Sequence, residues 1–396
     1  MGGPPLSHGT AARMGPAFTE LVASLPATVP FTGPETLERR RGAPFAARIG
    51  ANESASGMSP RATDAVRRAL AGREGALYGD PESRALREAL AGRLGVAPDA
   101  IVVGAGIDSL LGTTVRLFLG PGDVAVSSRG AYPTFDYHVA GYGARLERVP
   151  YAGPDGGPGG ATGAGAVAGV GVDVDALADA ARAHGAKLVY LSSPDNPTGT
   201  ATARDALAAL VDRLPDGCLL LLDEAYLEYP GEASAPPLDP TDPRVLRFRT
   251  FSKAWGMAGL RIGCAVGHPD AIAGFDKVRD HFGVNRLAQV AALASLGDPG
   301  FLDRVRAENA AGRERIVRLA DRHGLAHVPS ATNFVSLDLG DAARADGLLA
   351  ALLERGVFVR KPAAAPLDRL VRIGVGTPDE AARLEGAFGE ALAAAG

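Results

Sequence analysis

A chain of 396 residues with 46% hydrophobic and 22% charged side chains is long enough for two domains around a large core. Its formal charge of −4 leaves no basic excess for phosphate contacts and argues against a general nucleic-acid binder. No run of about 18 apolar residues occurs, so no membrane span is expected, and two cysteines, Cys218 and Cys264, each inside an apolar run, make neither a disulfide framework nor a metal site.

Met1–Thr19 lacks the basic start and apolar core of a secretory signal. Residues 1–29 read as a flexible N-terminal extension, and a cytoplasmic, reducing setting follows by default. From Pro30 to Arg48 the chain reads as loop and short helix, with the charged run Glu38-Arg39-Arg40-Arg41 as a solvated helix face. Ile49 to Ser54 is a short extended piece ending in polar groups. Ser59–Ala71 has helical apolar spacing with Pro60 near its start, a favoured first-turn position. Tyr78-Gly79-Asp80-Pro81 is a turn, and Glu82–Leu94 is a second amphipathic helix.

From Ile101 the pattern alternates between strand and helix. Strands are expected at Ile101–Val103, Val124–Val126, Arg145–Tyr151, Leu188–Leu191, Leu219–Leu222, Val245–Phe251 and Cys264–Val266. Helices are expected at Ile107–Phe118, after Tyr132-Pro133-Thr134-Phe135, and at Asp175–His184. Such short apolar strands imply an α/β fold with a mostly parallel sheet covered on both faces. Sheets of this kind bind ligands beyond the carboxyl ends of their strands. Gly153–Gly171 has no periodicity and reads as a flexible insertion, and Pro230–Pro243 is a second, Pro-rich loop. Beyond His268 come long helices (Ala288–Leu296, Phe301–His323) and then a β/α section with strands at Asn333–Asp338, Val357–Arg360 and Val371–Val375. That section reads as a smaller α+β domain.

The chemistry-bearing residues fall at the expected strand ends. Lys253, in Thr250-Phe251-Ser252-Lys253-Ala254-Trp255-Gly256, is one of four lysines (with Lys187, Lys277 and Lys361) in an arginine-rich chain. A guanidinium stays protonated and cannot serve as nucleophile or base, so an amine kept here suits a Schiff base with pyridoxal phosphate; an ordinary surface lysine is the alternative. Asp223 ends the strand Leu219–Leu222, and an ionised acid there would keep a pyridine nitrogen protonated, with Tyr226 donating to the ring oxygen. A helix cap or structural pair explains an aspartate equally well. Asn196, in Ser193-Pro194-Asp195-Asn196-Pro197-Thr198-Gly199, has an amide to donate. Gly104-Ala105-Gly106 at a strand-to-helix junction offers backbone N–H groups to a phosphate. Ser109 stands where a third glycine would complete a dinucleotide fingerprint, so a nicotinamide cofactor is not expected. Arg261, Thr250 and Ser252 could serve the same phosphate. Arg372, set in an apolar strand, needs an anionic partner, either a substrate carboxylate or an intramolecular acid.

These motifs, in this order and spacing, resemble the class I/II aminotransferases of pyridoxal-phosphate fold type I, and within them the histidinol-phosphate aminotransferase branch. Asn52-Glu53, Tyr78-Gly79-Asp80-Pro81, Pro133-Thr134-Phe135 and Val371-Arg372-Ile373-Gly374-Val375-Gly376 extend the likeness from about Pro30 to the C-terminus. The resemblance implies a seven-stranded, mostly parallel large domain over 76–275, with 153–171 inserted. It also implies a smaller domain over 276–396, joined by the segment 30–75, and a homodimer with shared active sites.

The resemblance makes Lys253 the Schiff-base lysine and Asp223 the partner of the ring nitrogen. Asn196 and Tyr226 would contact the ring oxygen, and Phe135 would stack on the ring. Gly106, Ile107 and Asp108 would cradle the phosphate with Thr250, Ser252 and Arg261, and Tyr78 would reach the neighbouring subunit's cofactor. Arg372 would hold the substrate carboxylate, with Asn52, Arg360 and Phe31 as further substrate contacts. Phe135 and Phe31 stand where that branch often has tyrosine, which points to a specialised paralogue. The expected reaction moves an amino group from a small amino donor to a 2-oxo acid acceptor, Lys253 acting as the base at Cα. A lyase or decarboxylase on the same scaffold is the alternative, and a non-catalytic cofactor-binding regulator a third.

Overall fold

The computed structural model describes residues 17–26, 32–152, 167 and 169–396. Phe31, most of the expected insertion and the first part of the expected extension lie outside these residues. Within the expected extension, Thr19 caps a single helical turn, α1 (Glu20–Ser24), by accepting from the N–H of Val22. Helix α2 (Pro34–Arg41) has proline in its first turn and stops at Gly42, whose left-handed φ of 75° closes the end. Ala47–Arg48, which the sequence placed in loop and helix, is instead a strand, β1, because Val357–Phe358 lies parallel beside it.

Helices α3 (Pro60–Ala71) and α4 (Arg84–Leu94) lead into β2 (Ile101–Gly104) and α5 (Ile107–Phe118). The alternation continues through β3 (Val124–Ser128), α6 (Pro133–Gly141), β4 (Arg145–Val149), α7 (Val174–His184), β5 (Leu188–Ser192), α8 (Arg204–Arg213), β6 (Leu219–Asp223), β7 (Val245–Thr250) and β8 (Gly263–Val266). These form a seven-stranded sheet in the order β2-β8-β7-β6-β5-β3-β4. β3, β4, β5, β6 and β7 are mutually parallel, and β8 runs antiparallel to both its neighbours. All strands but β8 therefore point one way and gather their carboxyl ends on one edge, where such sheets place ligands.

Both faces of the sheet are covered over most of its width, which is why β2, β5 and β6 read as nearly continuous apolar runs, whereas the edge strand β4 and the strand β7 carry arginines. Leu219 and Leu221 pack with Phe135, Tyr190, Phe248 and helices α5 and α6 on one face. Leu220 and Leu222 pack with α7 and α8 on the other. The period of two in a strand sends successive side chains to opposite layers.

After α9 (Pro269–Phe275) and α10 (Arg286–Leu296), the 24-residue helix α11 (Pro299–Arg322) leads to a second layer. There β9 (Ala326–His327), β10 (Phe334–Asp338) and β12 (Leu370–Gly374) form an antiparallel sheet, while β11 (Val357–Phe358) pairs with β1. Helices α12 (Ala342–Glu354) and α13 (Pro378–Ala394) complete it. Its core joins Ala47 and Ile49 to Leu337, Leu348, Ile373 and Phe388, so the early chain folds into the late one. The α13 N-terminus carries a capping box between Thr377 and Glu380. Both cysteines are buried and unpaired.

Candidate active site

The turn from β2 to α5 begins the site. Gly106 has φ 84°, and a Cβ there would lie 2.6 Å from Arg261 Nη2, so a residue without a side chain lets the arginine close against the first turn of α5. Arg261 reaches that turn on a backbone with φ 57° and places Nη2 3.7 Å from Asp108 Oδ2. At the end of β7, the N–H of Ser252 and its hydroxyl both meet Thr250 Oγ1, each at 3.0 Å. Arg261 Nη1 donates to Ser252 Oγ at 3.4 Å. Two hydroxyls, a guanidinium and the N-terminus of a 12-residue helix thus surround one spot, a combination that favours an anion.

Asp223 ends β6 and is 4% exposed. Tyr190 Oη donates to its Oδ2 at 2.8 Å, and the N–H of Ala225 donates to Oδ1 at 2.9 Å. Burial pushes its pKa up to about 6, against the Tyr190 and Ala225 hydrogen bonds, which pull it down. Asn196 is placed by a turn whose centre is Asp195, fully enclosed and bonded to Ser192 Oγ and Thr198 Oγ1, each at 2.7 Å. Asn52, at φ 55°, donates its amide to Tyr226 Oη at 2.8 Å. Lys253 Nζ donates to the carbonyl of Asn52 at 3.1 Å and lies 5.6 Å from the centre of the Tyr226 ring. The turn after the lysine is closed by Gly256, where φ is 72° and a Cβ would sit 1.8 Å from the carbonyl oxygen of Gly57. Any side chain there would push the lysine loop off the early chain.

A cavity of about 110 Å³ is lined by Ile107, Asp108, Asn196, Asp223, Tyr226, Thr250, Ser252, Lys253 and Arg261, together with Tyr132, Tyr190, Ser192 and Ala225. A second cavity of about 420 Å³ shares Tyr132, Asn196, Tyr226 and Lys253 with it and adds Asn52, Arg360 and Arg372. Among the described residues, four cationic side chains (Lys253, Arg360, Lys361 and Arg372) and no carboxylate line this second space. Arg372 donates to Asn196 Oδ1 and, at 3.2 Å, to the carbonyl of Gly50, while its Nε has no hydrogen-bond partner. Burial lowers its pKa to about 10. Among the described residues no carboxylate pairs with it, so the intramolecular acid that the sequence left open is not found. Arg360 lies beside it, paired through the backbone, and donates to the carbonyl of Thr32 at 2.8 Å. A larger cavity of about 720 Å³, between α11, α13 and residues 49–56, holds no lysine.

One expected contact falls elsewhere in this chain. Phe135 is wholly buried, its ring stacked on Tyr190 at 4.7 Å, and it is not part of either cavity lining. Its position on the inward face of α6 points it into the layer between helix and sheet, and Tyr132, one residue before that helix, supplies the aromatic wall instead. Tyr78, expected to serve the neighbouring subunit, stands 77% exposed against Phe282 at 4.8 Å and lines neither cavity of its own chain. Tyr132 and Tyr190 were missed because each looks ordinary in sequence, one a turn residue and the other inside an apolar strand. The signal that could have found Tyr190 is its hydroxyl, since a tyrosine buried in a strand needs a partner.

A family model for aminotransferase class I and II matches residues 48–388. The histidinol-phosphate aminotransferase of Roseiflexus castenholzii is 37% identical over 366 residues, which cover 91% of this chain and 94% of that one. The same-named enzyme of Symbiobacterium thermophilum is 36% identical, over 93% of this chain and 95% of its own. Among solved structures, histidinol-phosphate aminotransferase from Sinorhizobium meliloti in complex with pyridoxal-5'-phosphate superposes with a TM-score of 0.87 at 42% identity, covering 95% of this chain and 97% of that one.

Proposed function

The chain belongs to the class I and II aminotransferases, and from that membership we propose a role for each residue of its site. The enzyme is a pyridoxal-phosphate-dependent transferase of fold type I, and its substrates are small amino and 2-oxo compounds. The observation that carries the assignment is the meeting, in one cavity at the carboxyl edge of the sheet, of Lys253, the buried acid Asp223 and the anion-holding group around Arg261. The residues suit the cofactor. The close approach of Arg261 to Gly106 makes a cradle that any Cβ would fill. Asp223 has no cationic partner among the described residues and is free to take one.

When bound, the cofactor supplies an electron-accepting ring. Lys253 provides the amine that tethers it and, once freed, the base that takes the proton from the substrate Cα. Asp223 keeps the pyridine nitrogen protonated. Tyr226 and Asn196 hold the ring oxygen; Asn196 Oδ1 is engaged by Arg372, which leaves its NH2 to donate. Gly106, Ile107 and Asp108 at the start of α5, with Thr250, Ser252 and Arg261, hold the phosphate.

Arg372, half-buried and without a carboxylate partner among the described residues, takes the anionic group of the substrate, and Asn52 and Arg360 line the space beyond it. The named relatives support a histidinol-phosphate-aminotransferase-like enzyme. The apolar patch of Leu70, Leu77, Tyr78 and Phe282, each at least 47% exposed, supports a homodimer in which Tyr78 reaches the other subunit's cofactor. We divide the chain into a large domain over 76–275 and a small one over 276–396 joined by 30–75. No helix of the described residues is long and apolar enough to cross a membrane, and we place the enzyme in the cytoplasm.

Borohydride treatment of the holoenzyme tests the core of this reading. The cofactor label is expected on the Lys253 peptide, and Lys253→Ala loses both the label and amino transfer to 2-oxoglutarate by at least about 10³-fold. A label on Lys187, Lys277 or Lys361 overturns it.

A further inference from the structure

Tyr190 has no role in the assignments above, yet it touches the residue on which they depend. It lies 1% exposed on β5, where a phenylalanine would pack equally well, and its hydroxyl is a cost unless partnered. The partner is Asp223 Oδ2, at 2.8 Å. Sheet register explains the meeting. Tyr190 pairs with Leu221 and Ser192 with Asp223, so Tyr190 and Asp223 are diagonal neighbours on one face of adjacent parallel strands. Behind Tyr190, Phe135 stacks at 4.7 Å with an interplanar angle of 15°, leaving the ring little room to turn. Phe135 thereby contributes through Tyr190 rather than at the cavity wall.

We propose that Tyr190 is the positioning residue for Asp223, fixing the carboxylate's rotation and favouring its ionised form so that it can hold the protonated ring nitrogen of the cofactor. The inference rests on the reading that Asp223 faces that nitrogen. The titratable and charged groups around the pair are few. Asp108 on α5, itself close to Arg261, and Glu224 next along the chain both oppose the charge on Asp223. Tyr132 and Asp195 lie near Tyr190, and Lys253 lines the same cavity. Against this mostly negative setting, the Tyr190 hydroxyl and the Ala225 N–H are the donors that favour a carboxylate. Burial and the Asp223 charge both hold the phenol well above its usual pKa, so it remains a donor throughout the working range.

The test uses the holoenzyme and a double-mutant cycle of Tyr190→Phe and Asp223→Asn, read by the dissociation constant of pyridoxal phosphate and by the pH at which the bound cofactor's absorbance changes. Tyr190→Phe is expected to weaken cofactor binding about tenfold, the scale of a hydrogen bond to a charged group, and to move the low-pH midpoint upward. Asp223→Asn is expected to weaken binding further, and adding Tyr190→Phe to it to change nothing more. A Tyr190→Phe enzyme with unaltered affinity and midpoint overturns the inference and leaves the role of Asp223 standing. An equal loss in the Asp223→Asn background also overturns it, since Tyr190 would then act by packing alone. If Asp223→Asn itself binds the cofactor normally, both the inference and the assigned role of Asp223 fall.

Discussion

At the end of β6 two successive carboxylates are buried, Asp223 at 4% and Glu224 at 0% exposure, and they meet opposite surroundings. Asp223 shares its face of the sheet with Tyr190 and Phe248, and among the described residues its carboxylate is bonded only by a phenol and a backbone N–H. Glu224 emerges on the other side. There Arg247 donates to it through Nη2 and, at 3.0 Å, through Nε, and Arg249 Nε adds a contact at 3.1 Å. Arg249 in turn holds Glu232 at 2.5 and 2.8 Å. A shift of one residue along a strand reverses the side-chain direction, so one carboxylate enters a cavity and its neighbour enters an ion-pair cluster. Burial costs both charges. The protein repays the cost for Glu224 with its own arginines and leaves it outstanding for Asp223. Of these two neighbouring carboxylates, the one without a cationic partner among the described residues faces the cavity and the paired one faces the cluster.

The largest test of this contrast exchanges the two positions. Asp223→Asn is expected to lower amino transfer by roughly a hundredfold or more, the scale of losing one preorganised electrostatic contact, with little loss of folding stability. Glu224→Gln should do the reverse. It leaves two arginines facing a weakened partner and costs about 3–5 kcal/mol of stability, read as a fall in Tm, while cofactor affinity in the surviving folded protein changes little. Equal effects on both readouts would break the distinction.

A smaller effect is expected at Arg372. Arg372→Lys keeps a charge but loses the forked donor, so KM for the amino substrate should rise about tenfold or more while the cofactor's dissociation constant holds. A changed cofactor affinity with unchanged KM would place Arg372 on the structural side.

The smallest effect is in pH. The folded-state pKa of Asp223 is raised from 3.8 to about 6, so in cofactor-free protein the folded state retains a proton that the unfolded chain releases across that window. The group's contribution to stability is present at low pH and falls as pH rises from about 4 to 6. Thermal melts should show Asp223→Asn gaining on the wild-type chain by a few degrees between about pH 4 and pH 7. A difference independent of pH would remove the unpaid charge from the account.

Chain-local information carried most of the frame. Apolar runs bounded by glycine and polar turns gave the parallel strands near their observed limits, since strands buried on both faces leave no ambiguity of period. Lys253, Asp223, Asn196, Tyr226 and Arg261 stood out in the sequence by residue type and place in their motifs, and the structure gathers them around one cavity. Tertiary structure alone decided what needed distance in the chain to be crossed. β1 exists because Val357–Phe358 comes to lie beside Ala47–Arg48. Phe135 turns into the core because α6 presents that side to β5, where Tyr190 lies. Asp223 and Glu224 are alike in sequence and differ in function because the pleat of one strand sends them to different partners. A residue's type sets what it can do, and the company that folding brings to it sets which of those things it does.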